Sequence, residues 1–297
     1  MKTYPSRTMK LLACFIGLSL TAATSSYATV LFSENFDSYT SGVTPTAANS
    51  AKWLTSYNQT SVAADIVQTD INNYLGSGTT NKVVQISQLS ANASNAQLAS
   101  TTTTSFGTTG QLSFDFTIPL STEISPASNA YNSTNGLDGI ILRMGTAAGN
   151  GTSAFGLLIR SNGLVALSDG TFNTPTTLTN ASLSLTTKYN LTIVYNNSSS
   201  LLTYTGGSVA ATSMDVYLNG VLVGDDLTHG GSVAADTALS SFSFTNKSTS
   251  NVLSLYVDNI LVTDTITAGA IPEPSTVAVL AGLGSLTVAL VVRRNRR

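Results

Sequence analysis

Every second residue between Leu112 and Ile118 is apolar: Leu112, Phe114, Phe116 and Ile118, separated by Ser113, Asp115 and Thr117. A period of two puts one set of side chains on one face of an extended chain, which a helix with its 3.6-residue period does not do. The stretch reads as a half-buried strand ended by Pro119. The same period returns at Tyr189, Leu191, Ile193 and Tyr195, at Met214, Val216 and Leu218, and at Phe242 and Phe244. Residues 139–144 are apolar on both faces and read as a central strand. Val30–Tyr39 opens the region with a strand and loop, and Val252–Val262 closes it with the last strand. Asn162-Gly163 and Asn219-Gly220 each lie between apolar runs. Asn and Gly both tolerate positive φ, which the tight turns of β-hairpins require. No segment after residue 28 sustains a helical period, and at least ten strand candidates follow one another. The fold class is all-β, an antiparallel β-sandwich of one domain.

Charged residues are only 9% of the chain, against about a quarter in ordinary domains. Ser, Thr, Asn and Gly supply the polarity instead. With 42% apolar residues in regular patterns, disorder is excluded. Between residues 29 and 270 six basic residues (Lys52, Lys82, Arg143, Arg160, Lys188 and Lys247) face fourteen acidic ones, a charge near −8 with His229 neutral. That balance excludes nucleic acid as a partner. The one cysteine is Cys14. A domain lacking it forms no disulfide, and about 240 residues bury an adequate core without one.

The two ends read as targeting segments. Residues 1–28 have the form of a secretory signal peptide: Lys2, Arg7 and Lys10, then the apolar run Leu11–Leu20, then small residues at Ser26 and Ala28. Cleavage is expected between Ala28 and Thr29. Cys14 lies inside the apolar run without a lipobox, so the leader is not that of a lipoprotein. At the other end a short linker, 264–270, leads into Pro272-Glu273-Pro274. An uncharged run of sixteen residues, 277–292, follows, and four arginines lie among the last five residues. As a helix that run spans about 24 Å, slightly under the ~30 Å of a bilayer core. Ser275 and Thr276 extend it, and the arginines snorkel and stay cytoplasmic. The two prolines keep the preceding chain extended and open to a protease.

These three parts in this order resemble the PEP-CTERM sorting signal of Gram-negative bacteria over residues 271–297. The resemblance implies a membrane enzyme, exosortase, that recognises Pro272, Glu273 and Pro274 and removes the helix. It implies an inner-membrane-anchored precursor that becomes a cell-surface or extracellular-matrix protein. Processing chemistry then belongs to exosortase, and the tripeptide is its recognition site.

Glu34–Tyr39 near the start, Asp215–Gly220 late and Leu255–Ile260 at the close are similar to concanavalin-A-like jelly rolls, with laminin-G-like and carbohydrate-binding modules as the nearest kinds. The resemblance implies a jelly-roll domain over 29–263 with its first and last strands side by side. It also implies a structural calcium held by hard oxygen ligands, with Glu34, Asp37 and Asp258 as the ligands. Residues 135–139 are an alternative loop for such an ion. Hydrolases of this fold carry a Glu-x-Asp-x-x-Glu strand, and a retaining mechanism needs two carboxylates about 5–5.5 Å apart. That strand is missing here: ahead of the sorting signal the glutamates are Glu34 and Glu123, and no catalytic residue is assigned. His229 follows Asp225 and Asp226, a grouping that suits a polar loop better than a Ser-His-Asp triad. Trp53 and Tyr57 read either as a sugar-stacking platform or, for Trp53, as core. The Asn-x-Ser/Thr triplets such as Asn58–Thr60 follow from the abundance of those residues. The expected role is non-enzymatic: a glycan-associated binding or structural component with extracellular polysaccharide as partner. The alternatives are a carbohydrate-active hydrolase or lyase, and a purely structural surface protein.

Overall fold

The structure, a computed structural model, describes residues 28–54, 65–76, 80–87, 96–120, 139–161, 163–167, 175–246 and 253–268. Residues 1–27, Tyr57, Glu123, residues 135–138 of the alternative calcium loop and the sorting signal 271–297 lie outside them.

Two antiparallel sheets face each other. In spatial order the larger holds β14 (Val221–Thr228), β13 (Ser213–Leu218), β10 (Tyr189–Asn196), β5 (Thr109–Thr117), β16 (Ser254–Thr263), β3 (Lys82–Ser87) and β2 (Asp65–Thr69), with β1 (Val30–Glu34) beside β16. The smaller holds β4 (Ala96–Ala99), β15 (Ser241–Asn246), β6 (Ile140–Gly145), β7 (Ser153–Arg160), β8 (Gly163–Leu167) and β9 (Pro175–Ser182). A separate hairpin joins β11 (Leu202–Tyr204) to β12 (Gly207–Val209). This is a jelly-roll sandwich, and its first and last strands pair from Val30 with Thr263 to Glu34 with Ile260.

The period of two decides which side chains meet between the sheets. Leu112, Phe114 and Phe116 of β5, Leu191 and Ile193 of β10, and Val257 of β16 point inward against Leu142, Leu157, Phe242 and Phe244. Phe114 meets Phe244 edge to face at 5.3 Å between centroids, a favoured aromatic arrangement. The other face of β5 departs from the half-buried expectation, because Asp115 and Thr117 are buried as well. Alternation reports which face is apolar, and it is silent on whether the polar face is covered. Here the β11–β12 hairpin packs over Val194 and Tyr217, while Tyr74 and Leu75 pack over Val83 and Tyr256.

Asn219 and Gly220 form the expected turn between Leu218 and Val221, with φ of 51° and 78°. A Cβ on Gly220 would meet nothing within 4 Å. Gly220→Ala therefore meets no clash but puts a side chain in the left-handed region, and chemical denaturation is expected to show a loss of about 1–2 kcal/mol from that backbone strain. The other hairpin is displaced by one residue from expectation. Gly163 already pairs with Arg160 and belongs to β8. Among the described residues no helix is long and apolar enough to cross a membrane; the expected span 277–292 lies outside them.

Candidate functional site

β16 keeps β5 along one edge, but its other edge is shared. β3 pairs with its first half, Ser254–Val257, and β1 with its second half from Ile260. Between them the register of β16 against β5 slips by one residue after Asp258. Asn259 is the extra residue, with φ of 52°, the geometry of a β-bulge. β1 ends here at Glu34 and β3 starts here at Lys82, which opens a cleft of about 500 Å3 lined by Ser33, Glu34, Asn35, Ser38, Lys52 and Asn259, among others.

Glu34 forms the inner wall and is fully engaged. One oxygen accepts from the backbone N–H groups of Asn35 and Phe36, both at 3.1 Å. The other accepts from the Tyr39 hydroxyl at 2.6 Å and from Lys52 Nζ at 3.1 Å. Lys52 Nζ also donates to the Ser33 carbonyl at 2.7 Å and lies 5.7 Å from the centre of the Phe32 ring. Tyr39 is buried next to this carboxylate, and both effects, burial first, push its hydroxyl up to about 12. Trp53 Nε1 donates to the same hydroxyl at 3.3 Å, so the cleft wall is tied to the core.

Beneath the bulge Asp258 lies directly opposite Asp115 across the β16–β5 pair. Asp115 accepts from Lys188 Nζ at 2.9 Å, from Asn190 Nδ2 at 2.9 Å and from Asn259 Nδ2 at 3.0 Å. Lys188 also donates to the Leu75 carbonyl at 2.8 Å. Asp258 is 1% exposed and accepts from the Asn259 N–H at 2.7 Å and Asn81 Nδ2 at 3.4 Å. Burial pushes its carboxyl up to about 7, and the nearby charges of Asp37 and Asp115 add to the rise. Asp37 accepts from the Lys82 N–H and from Asn35 Nδ2, each at 3.1 Å.

The residues expected to share a calcium are distributed differently. Asp37 and Asp258 belong to one electrostatic group, but Glu34 is turned to Lys52, whose ammonium occupies its outer oxygen. Among the described residues, the acids whose ligand atoms come within 4.8 Å of one another as a trio are Asp215, Asp225 and Asp226. The ligand atoms of Glu34, Asp37 and Asp258 do not come within that distance of one another as a trio. Two of the acids in the Asp215 trio accept from protein donors: Asp215 from the Asp226 N–H at 2.9 Å and the Tyr204 hydroxyl at 2.7 Å, and Asp226 from the Ala210 N–H at 2.6 Å.

His229 Nε2 is buried and accepts or donates no hydrogen bond among the described residues. Its ring meets Phe155 edge to face, its backbone N–H donates to the Thr212 carbonyl at 2.9 Å, and burial lowers its basicity. Trp53 is a core residue at 0% exposure. Ala28 and Thr29 are exposed just ahead of β1, and the Thr29 N–H donates to Asp264 Oδ1 at 2.8 Å. Asp115, Lys188, Asn190 and Asn81 are the site residues that the sequence reading missed. Asn259 carried a signal of its own. Val257 and Ile260 both point inward, three positions apart, so the period of two breaks between them.

The chain is thus a jelly-roll sandwich with a polar cleft at a strand junction, followed by a C-terminal segment. Residues 270–297 match the PEP-CTERM protein-sorting motif. The protein carries a signal for export and for processing by exosortase. No curated protein matches the chain. Among solved structures it is similar to a carbohydrate esterase from Shiga toxin-encoding bacteriophage phi24B, with 14% identity, TM-score 0.45, and 81% of this chain and 100% of that one covered. It is similar to the alginate lyase Aly36B, with 13% identity, TM-score 0.44, and 80% and 97% covered. It is also similar to an endo-beta-1,4-glucuronan lyase from the fungus Trichoderma reesei, with 11% identity, TM-score 0.43, and 82% and 99% covered. These are likenesses of architecture.

Proposed function

We propose that this exported protein is a non-enzymatic component of the cell surface or extracellular polysaccharide matrix, and that it binds glycan in the cleft beside Asn259. The carrying observation is the chemistry of that cleft. Ser33, Asn35, Ser38 and Asn259 supply hydroxyl and amide groups, which pair with sugar hydroxyls as donors and acceptors. The one carboxylate in the wall is neutralised by Lys52 at 3.1 Å. Its oxygens are committed to four protein donors, which leaves it poorly placed for acid or base catalysis.

A glycan array followed by calorimetry on the matrix polysaccharide tests this reading. Replacing both Asn35 and Ser38 by alanine is expected to weaken binding about tenfold, given ~0.5–1.5 kcal/mol net for each hydrogen bond lost. An array and a matrix pull-down that both stay at background would sink the idea. Altered adhesion on deletion, combined with that background result, would favour a purely structural coat protein.

One observation favours a carbohydrate-active enzyme: Asp258 and Asp115 face each other, with Asp258 titrating near neutrality. A carboxyl held near neutrality close to a second carboxylate is an arrangement that glycosidic chemistry uses. Against it stands the 1% exposure of Asp258, which keeps it from touching substrate. Polysaccharide turnover that disappears in Asp258→Asn would establish the enzymatic reading.

A further inference from the structure

Residues after β16 do not leave the sandwich at once. Gln111 on β5, only 6% exposed, holds them with its side chain. Its Oε1 accepts from the N–H groups of Thr267 and Ala268, both at 2.9 Å. Its Nε2 donates to Thr267 Oγ1 at 3.2 Å. Ile266 and Ala268 pack against the apolar cluster of Val194, Val209 and Tyr217. Thr263 Oγ1 donates back to the Thr265 carbonyl at 2.8 Å. At the base the Asp264 N–H is bonded to the Thr29 carbonyl. The segment expected to be a plain linker is clasped as far as Ala268.

Only Gly269, Ala270 and Ile271 separate this clasp from Pro272. At ~3.3–3.6 Å per extended residue, Pro272 lies no more than about 14 Å from Ala268. Enzymes that cut peptides grip several extended residues around the bond. A leash this short brings the folded sandwich against the enzyme's entrance. Releasing residues 264–268 lengthens it by about 17 Å.

We propose that Gln111 is a positioning residue for C-terminal processing. Its clasp holds the sorting signal close to the sandwich, and exosortase reaches Pro272-Glu273-Pro274 after the clasp opens. No new chemical step is added; bond breaking belongs to exosortase.

The test is a pulse-chase of the full precursor in a host that carries exosortase, following loss of the arginine-rich terminus by mass. Gln111→Ala is expected to be processed about tenfold faster than the parent, since two backbone bonds and one side-chain bond are lost. A four-residue Gly-Ser spacer after Ala268 is expected to match it. Gln111→Ala within the spacer variant is expected to add nothing, because both changes act on the same leash. Gln111→Glu keeps the acceptor oxygen and is expected to stay near the parental rate, which a general loss of stability would not predict. The spacer leaves the sandwich untouched, so its result stands even if Gln111→Ala folds poorly. Processing of the spacer variant at the parental rate or slower would overturn the proposal.

Discussion

Replacing Trp53 by alanine lowers the stability of the sandwich by about 3–5 kcal/mol, the range for a fully buried large aromatic. The indole stacks on Phe36 at 5.8 Å and meets Phe32 at 5.4 Å and Phe242 at 6.0 Å edge to face. Removing it opens a cavity where β1, the loop to Tyr39 and β15 converge, and leaves the Tyr39 hydroxyl without that donor. For a domain of this size the melting temperature falls by roughly 10 °C. Far-ultraviolet circular dichroism with urea titration measures it, because Trp53 is the only tryptophan. The same burial predicts that saturating glycan leaves the wild-type emission maximum in place. A shift on binding would mean that the indole reaches ligand after all.

Asp258→Asn has the opposite sign. The folded carboxyl is raised from 3.8 to about 7. A group raised in the fold gives its full contribution below its unfolded value, and that contribution is lost as pH climbs through the folded value. The wild type therefore loses stability between about pH 4 and pH 7, by on the order of 1–3 kcal/mol. Asparagine keeps the oxygen that accepts from the Asn259 N–H and carries no charge. Its melting temperature is expected to equal the parent's near pH 4 and to exceed it at pH 8, measured by calorimetry across that range. Chelator is expected to leave both proteins unchanged. A chelator-sensitive parent, together with an Asp258→Asn variant weaker than the parent at pH 8, would instead place an ion on Asp258.

The fold was legible where its signals are local. Leu112 to Ile118 alternates and forms a core strand, and Asn219-Gly220 turns as its residue types require. Pairing of β1 with β16 came only through the likeness to jelly rolls, since nothing local ties residue 30 to residue 263. β9 had no readable pattern. It is an edge strand whose buried residues within Thr176–Ser182 are Leu178 and Ala181, and an edge needs little apolar surface. The site was the least legible part. Asn259 meets Asp115 across a separation of 144 residues, and Lys188 reaches Asp115 from the start of a third strand. Such contacts depend on sheet order, which a period of two does not encode. Glu34 was legible as an acid near the last strand through the likeness to jelly rolls, but its burial was not, and its partner Lys52 lies eighteen residues on.

The position of β16 has a mechanical consequence. Its second half lies between β5 and β1, with hydrogen bonds on both edges. It is also the strand that leads to the C-terminal end. Inter-strand hydrogen bonds run across the strands. Tension drawn along β16 from that end loads many of them together in shear, rather than peeling them one by one. A sandwich attached through this end and gripped at Asn259 would carry force along a strand that is paired on both edges.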